Sequence, residues 1–345
     1  MDLIKTDRIE KRIDTHKAAT HLRTLVIDVE KERVLIARLA ESEQAQDLSV
    51  PANCGGFGRI RHFRRETAAG WPENPLPIDP AAQALRSNPP DVIEAQVFQN
   101  AACAWRCWYC FVPYALLAGN PKVGAWLSAD DLLDLYQAEE THPLVIDLTG
   151  GSPDLSPEWV LWMMRALRRR NLDSQVYLWS DDNLSTDYFW RYLTLAQRRE
   201  IVEYRMYGRV ACFKGFDVAS FGFNTRAEPE AFDRQFEIMA RLVAEGLDCY
   251  AYATFTASES SGVDSSMRVF VDRLQQIDHN LPLRTVPLRI AAFSPVVQRM
   301  NAERTRALDI QDAAISAWNN ELQNRFSPLE LMQPIATVPL GRRAS

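Results

Sequence analysis

The feature that most constrains the fold of this 345-residue chain is a regular alternation of apolar and amphipathic segments after residue 91. Short apolar strand candidates are followed by stretches with helical periodicity or by polar loops. The strand candidates lie at 92–98, 144–148, 176–179, 208–213, 247–255 and 286–292. Because parallel strands joined by helices close with right-handed crossovers, we predict an α/β fold with a partial (β/α)6 TIM-like barrel of parallel strands.

Signals for helix boundaries support the same alternation. Ser128 and Asp131 form a capping-box pattern at the start of a helix that we expect to continue to about residue 140. Ser156 is the expected N-cap of the next helix, with Pro157 at its first position. Further helices are expected at 187–199, 229–245 and 264–277.

The region before the barrel is predicted to be accessory. It covers residues 1–90, and within it 22–39 fits a β-hairpin around a polar turn. Residues 59–63 fit a short strand. The segment 66–91 is rich in proline and alanine, which is typical of an extended linker.

The barrel itself is expected over residues 91–295. Residues 296–345 then form a C-terminal extension with a helix near 310–325. We expect this extension to pack against the outside of the barrel or to close one of its ends.

Charge and hydropathy limit the partners and the cellular location expected for the protein. The chain has 39 basic and 45 acidic residues and a formal charge of −6, so its global charge does not indicate nucleic-acid binding. Residues 1–17 are charged throughout and lack an apolar run, so we interpret them as neither signal peptide nor membrane anchor. We therefore expect a cytoplasmic protein with no membrane partner, in which thiols stay reduced.

Three of the six cysteines are closely spaced in the loop that follows the first barrel strand. They are Cys103, Cys107 and Cys110, with the aromatic residue Tyr109 before the last. Thiolates this close together can converge on one inorganic centre. A four-iron cluster normally takes four cysteine ligands, so three would leave one iron with an open position. A zinc ion that takes a fourth ligand from elsewhere in the chain is the alternative.

Further polar segments follow the next three strands, at the end of a parallel barrel where functional residues collect. They are Gly150, Gly151, Ser152 and Pro153 after the second strand, Ser180, Asp181, Asp182 and Asn183 after the third, and Lys214 after the fourth. Each segment also has a plain structural interpretation. The glycines fit a turn, the acidic segment fits helix capping, and the lysine fits a solvated surface residue.

Residues 90–295 resemble the radical S-adenosylmethionine (SAM) superfamily. The resemblance rests on CAWRCWYC, residues 103–110, which matches that superfamily's CxxxCxφC motif, where φ is aromatic. It implies that Cys103, Cys107 and Cys110 hold one [4Fe-4S] cluster. It also implies that SAM binds the remaining iron and is cleaved reductively to a 5′-deoxyadenosyl radical that abstracts hydrogen from a substrate.

The resemblance assigns roles to the other segments as well. Gly150, Gly151, Ser152 and Pro153 resemble the family's GGEP segment, which meets the methionine amino group of SAM, although serine stands where glutamate is common. Residues 180–183 occupy the place of ribose contacts. Lys214 resembles a family cation that pairs with the carboxylate of SAM, and Tyr109 is expected near the adenine.

The resemblance also implies an electron donor such as flavodoxin or ferredoxin. It names no catalytic side chain and leaves the substrate open among a glycyl-radical enzyme, a peptide and a small molecule. Two alternatives use the same cysteines for zinc, one as a zinc-dependent enzyme and one as a non-catalytic zinc-binding module.

The other three cysteines are not expected to bind a second cluster. Cys212 and Cys249 lie in apolar strand candidates and are predicted to be buried small hydrophobic residues. Cys54, beside two glycines, is expected to be more exposed, which would allow a role in substrate handling.

Overall fold

The computed structural model describes residues 12–68 and 71–341 of the chain. Most of the segment interpreted above as neither signal peptide nor anchor lies outside these residues. Ten strands are described: β1 (Ile27–Asp28), β2 (Arg33–Ala37), β3 (Gly58–Arg64), β4 (Val92–Gln99), β5 (Gly124–Ser128), β6 (Val145–Thr149), β7 (Tyr177–Asp182), β8 (Tyr207–Phe213), β9 (Cys249–Ala253) and β10 (Thr285–Pro287).

Seven of these strands form one curled sheet in the order β10-β9-β8-β7-β6-β4-β3. The six strands from β10 to β4 are parallel, and β3 is added antiparallel at the edge of β4. The predicted partial TIM-like barrel is therefore confirmed. Strands β6, β8 and β9 are buried along their whole length, as expected for a parallel sheet covered on both faces.

Helices surround the sheet. They are α1 (Thr15–Val26), α2 (Ile78–Leu85), α3 (Ala129–Gln137), α4 (Glu158–Arg169), α5 (Tyr188–Tyr192), α6 (Leu195–Val202), α7 (Val218–Thr225), α8 (Glu230–Glu245), α9 (Val263–Ile277), α10 (Ser294–Val297), α11 (Ala302–Arg325) and α12 (Pro328–Leu331). Among residues 12–68 and 71–341, no helix is long and apolar enough to cross a membrane.

Some helix predictions were right and others were wrong. The capping box between Ser128 and Asp131 is present at the start of α3. Ser156 is not the N-cap of α4, because Pro157 takes that position and the Ser156 hydroxyl accepts a hydrogen bond from Asn100. The single helix predicted over 187–199 is two helices, since the chain extends at Leu193 and a new capping box begins at Thr194.

The N-terminal region differs most from expectation. The predicted hairpin over 22–39 is partly wrong, because Leu25 and Val26 end α1 and only β1 and β2 pair around the turn. These strands and β5 form a separate three-stranded sheet. The prediction of an extended linker over 66–91 is also wrong in its middle, where α2 buries Ile78 and Ala81.

Two C-terminal elements have different lengths from those predicted. The final strand, expected over 286–292, spans only the three residues of β10. Helix α11 begins at Ala302 rather than near residue 310, and it packs against α9. Its Trp318 is fully buried against Phe255 and Phe270, so the extension completes the hydrophobic core on that side.

A buried ion pair fixes the N-terminal helix to the barrel. Arg23 of α1 binds Glu158 of α4 at 2.5 Å and donates to the Leu155 carbonyl at 2.7 Å. Its guanidinium lies 3.6 Å from the centre of the Tyr192 ring. Both charged side chains are less than one-tenth exposed. Removing one partner would leave the other charge buried without compensation.

We therefore expect Arg23→Ala to lower the free energy of unfolding by about 3 kcal/mol, measured by urea denaturation. Arg169→Ala is the matched control, because the Arg169–Asp130 pair is about half exposed. The control should change stability by less than about 0.5 kcal/mol. Equal losses in the two variants would show that the Arg23 pair does not fix α1.

Candidate functional site

A cavity of about 290 Å³ lies inside the half-barrel, at the carboxyl ends of β6, β7 and β8. The cysteine loop that follows β4 forms one wall. Nine of the residues predicted from sequence line the cavity: Cys103, Cys107, Tyr109, Cys110, Gly150, Gly151, Asp181, Asn183 and Lys214. The other four, Ser152, Pro153, Ser180 and Asp182, lie behind this lining. The parallel sheet has therefore brought segments more than 100 residues apart to one place.

The cysteine loop is held by hydrogen bonds to its backbone. Arg299 donates to the carbonyl oxygens of Cys110 at 2.7 Å and Val112 at 3.2 Å. The Tyr114 hydroxyl donates to the Cys107 carbonyl at 2.9 Å, and the Arg299 guanidinium lies 3.8 Å from the centre of the Tyr114 ring. These contacts fix the loop without using the cysteine side chains, which remain available to a ligand.

Asn224, at the end of α7, joins the loop to two barrel strands. Its side-chain oxygen accepts from the Trp108 indole at 3.0 Å and the Thr256 hydroxyl at 2.8 Å. Its amide nitrogen donates to the carbonyls of Lys214 at 2.8 Å and Thr256 at 3.0 Å. The buried amide therefore uses all of its hydrogen-bonding capacity. The sequence analysis did not predict α7, although Asp217 and Ser220 form a capping box at its start.

The Cys103 thiol has polar neighbours. The Ser152 hydroxyl lies 3.2 Å from the Cys103 sulfur and can donate to it. The Asn183 amide donates to the Ser152 oxygen at 2.8 Å and to the Gly151 carbonyl at 3.0 Å. Ser152 and Asn183 therefore support one cysteine from behind. Hydrogen bonds of this kind to cysteine sulfur tune metal centres.

Burial changes the acidity of two thiols in this loop. It raises the pKa of Cys107 to about 12, and the nearby Lys214 ammonium opposes part of that rise. It also raises the pKa of Cys110. A bound metal would displace these protons, since the thiolate is the ligand form. Burial acts to lower the pKa of Lys214, but the net shift is upward because Cys212, Cys107 and Cys103 lie near it and would favour the ammonium as thiolates.

The double glycine lies directly behind the cysteine loop. Gly150 and Gly151 both have positive φ, 69° and 60°. A Cβ atom on Gly151 would lie 2.3 Å from the Ala102 carbonyl oxygen, and one on Gly150 would lie 2.4 Å from the Gln99 side chain. Glycine is therefore required for the loops after β4 and β6 to approach this closely.

Neighbouring side chains at the end of β7 point in opposite directions, as alternation in a strand requires. Asp181 faces the cavity and accepts a hydrogen bond from Thr149. Asp182 faces away, binding Arg209 at 3.0 Å and the Leu184 amide at 2.6 Å. Ser180, on the same face as Asp182, bonds to the Tyr207 hydroxyl at 2.8 Å. Of the two carboxylates, only that of Asp181 can reach a ligand in the cavity.

Tyr109 forms part of the cavity wall beside the cysteines. Its hydroxyl donates to the Thr254 side chain at 3.1 Å, and its ring meets Trp108 edge to face. The ring is therefore held in place from both ends.

Sequence analysis missed a group of charged and aromatic residues in the cavity wall. Arg59 and Arg61 of β3 line the wall there, and Arg61 pairs with the fully buried Asp147 at 3.0 Å. Burial and the neighbouring Asp181 raise the pKa of Asp147 to about 7. Burial and then the charge of Arg61 lower the pKa of Arg59 to about 10. The alternating arginines in 59–64 were the sequence signal that could have predicted a charged strand face here.

Three aromatic rings line the cavity near these arginines, and one of them, Phe111, directly follows Cys110. Trp71 lies 4.9 Å from Phe293 and 6.5 Å from Phe111, measured between ring centres. Phe111 and Phe293 meet edge to face at 5.2 Å. We call these three residues the aromatic cluster. It gives this part of the cavity wall an apolar surface.

The remaining cysteines are all buried. The expectation that Cys54 is more exposed is wrong, because Glu139 accepts from its backbone amide at 2.6 Å and its side chain is enclosed. Burial raises the pKa of Cys54 to about 12. The prediction that Cys212 and Cys249 are buried is confirmed, although Cys212 also touches the cavity.

Across residues 12–68 and 71–341, no three His, Cys, Asp or Glu side chains are grouped closely enough to hold one metal ion. A single zinc ion would need such a group. An iron–sulfur cluster has a different requirement, because each cysteine binds a different iron. The three thiols on one cavity wall, close behind a double-glycine cradle, fit that second kind of centre.

Comparison with known proteins adds little. No protein-family model and no curated protein matches the chain. SuiB of Streptococcus suis, in its structure bound to S-adenosylmethionine, matches with a TM-score of 0.43 and 14% identity over 65% of this chain and 46% of SuiB. The structure of SuiB bound to precursor peptide SuiA matches with a TM-score of 0.37 and 16% identity over 51% of this chain and 36% of SuiB. This chain thus spans less than half of the length of SuiB.

The double glycine can be tested by itself. Gly151→Ala should displace the Ala102 carbonyl and lower the free energy of unfolding by more than about 1 kcal/mol, because both strain and a backbone clash are introduced. It should also speed the reaction of Cys103 with a thiol reagent. Gly246→Ala is the control, since Gly246 has a φ of 92° but leaves room for a Cβ. Equal effects in both variants would rule out the clash.

Proposed function

We propose that the protein is a radical SAM enzyme. It binds one [4Fe-4S] cluster through Cys103, Cys107 and Cys110 and binds SAM in the adjoining cavity. When bound, these cofactors supply a 5′-deoxyadenosyl radical that removes a hydrogen atom from a substrate. The observation that carries this proposal is the placement of three cysteine thiols, a glycine cradle, a carboxylate and a lysine around one cavity.

The residues around this space match the groups of SAM. Lys214 provides a cation for the methionine carboxylate. The glycine cradle gives the methionine amino group access to backbone carbonyls. Asp181 has a carboxylate oxygen directed into the cavity, which can accept from the ribose hydroxyls. Tyr109 offers an aromatic edge near the cysteines for the adenine.

The remaining task of the chain is to orient the cofactors and the substrate and to exclude water. Tyr109 and Cys107 are less than one-tenth exposed, so a radical formed beside them would be shielded from solvent. The aromatic cluster, which includes Phe111 next to Cys110, would offer the substrate an apolar surface close to the cysteine loop. An electron donor such as flavodoxin or ferredoxin is part of this proposal.

The cluster assignment is tested by metal content. After anaerobic reconstitution, the protein should contain about four iron and four sulfide per chain. With dithionite and SAM it should release 5′-deoxyadenosine, even slowly and without substrate. Cys107→Ala should lose the iron and this activity.

Cys249→Ala is the control for that experiment, because Cys249 is buried in β9 outside the cavity lining. It should keep the iron content of the parent protein. Iron retained in Cys107→Ala, or zinc in place of iron and sulfide, would refute the proposed centre.

The two aspartates of β7 provide a second test. Asp181→Asn should weaken SAM binding about tenfold with unchanged iron content, because a charge-assisted hydrogen bond is lost. Asp182→Asn should leave SAM affinity unchanged but lower the melting temperature, since Arg209 would lose its buried partner. Isothermal titration and thermal unfolding measure the two effects. If SAM affinity fell in Asp182→Asn but not in Asp181→Asn, Asp182 rather than Asp181 would be the residue that contacts SAM.

A further inference from the structure

Five arginine and lysine side chains line the cavity, together with the acidic residues Asp47, Glu73 and Asp181. Arg61 pairs with Asp147, Arg289 pairs with Glu73 at 3.2 Å, and His62 bonds to Glu94. Among the residues that the structure describes, Lys214 and Arg59 are the lining cations with no side-chain hydrogen bond or ion pair.

Arg59 is the more unusual of these two cations. Its Nε atom is hidden from solvent and has no hydrogen-bond acceptor within the described chain. Its contact is with the face of Phe111, whose ring centre lies 5.3 Å from the guanidinium carbon. Leaving a charged donor buried without an acceptor is costly, so a functional cavity is where such a group is expected.

The surroundings of Arg59 indicate what it binds. A guanidinium presents a planar set of donors that matches a carboxylate. Phe111 links it to the aromatic cluster, which offers an apolar surface next to the charge. A ligand that satisfies both would have a carboxylate beside an apolar or aromatic group.

SAM does not account for both cations. It has one carboxylate, and the proposed function gives that group to Lys214, which lies beside the cysteines. Arg59 comes instead from β3, the antiparallel strand added at the edge of the barrel. It is therefore left for the second molecule in the reaction.

We propose that Arg59 binds a carboxylate of the substrate while the aromatic cluster packs against the apolar group next to it. The identification of this ligand as the substrate rests on the proposed function, whereas the binding of an anion at Arg59 does not. The carboxylate comes from a small acid or from the C-terminus of a peptide, and the two sources share this chemistry.

The test uses reconstituted protein with excess SAM, so that Lys214 is occupied. Binding of 3-phenylpropionate and of its neutral amide is measured by ligand-detected NMR. The acid should bind about tenfold more tightly than the amide, because only the acid forms charge-assisted hydrogen bonds. The peptide acetyl-Gly-Gly-Phe and its C-terminal amide are measured in the same way. Tighter binding of 3-phenylpropionate would identify a small acid as the source of the carboxylate, and tighter binding of the peptide acid would identify a peptide C-terminus.

Three variants complete the experiment. Arg59→Gln should abolish the preference for the acid, and Arg59→Lys should retain part of it because the charge remains. Arg199→Gln is the control, since Arg199 is exposed on α6 outside the cavity lining and should behave like the parent protein.

Equal affinity for acid and amide in the parent protein would overturn the proposal, and that measurement does not depend on any variant folding. Acid binding that persists in Arg59→Gln but disappears in Lys214→Gln would also overturn it. Formation of 5′-deoxyadenosine is recorded separately. Its absence, together with Arg59-dependent acid binding, would refute the proposed function while leaving the anion site in place.

Discussion

The site depends on one buried amide. Asn224 bonds to the cysteine loop through Trp108, to the end of β8 through the Lys214 carbonyl, and to the segment after β9 through Thr256. Because every donor and acceptor of the amide is used, its orientation is fixed and the three segments keep one spacing. The arrangement of thiols, lysine and tyrosine around the cavity follows from that spacing.

Two parts of the cavity wall have different chemistry. In one, the buried thiol of Cys107 would lose its proton to a metal, and Lys214 lies beside it. In the other, Arg59 lies against the Phe111 ring without an acceptor for its Nε atom among the described residues. Buried charges interact strongly because little water screens them. Each part therefore offers a cation to an anionic group, in one case beside thiols and in the other beside apolar rings.

The sequence was informative where local patterns decide structure. Apolar strands followed by polar loops predicted the barrel, and the cysteine spacing predicted residues that share a cavity. It could not distinguish Asp181 from Asp182, since the orientation of each depends on where β7 begins. Arg59 and the aromatic cluster were missed because they reach the cavity through strand pairing and packing between segments far apart in sequence, as for residues 58–64 and 71. The secondary-structure propensities of individual residues do not predict such contacts.

The contacts of Arg299 imply an order of assembly during synthesis. This side chain holds two carbonyls of the cysteine loop although it follows Cys110 by 189 positions. A nascent chain that has emerged only as far as the end of β10 has every strand of the barrel but lacks this support. A fragment that stops before residue 299 would therefore keep the contacts of Tyr114 and Asn224 to the cysteine loop but lose both hydrogen bonds from Arg299.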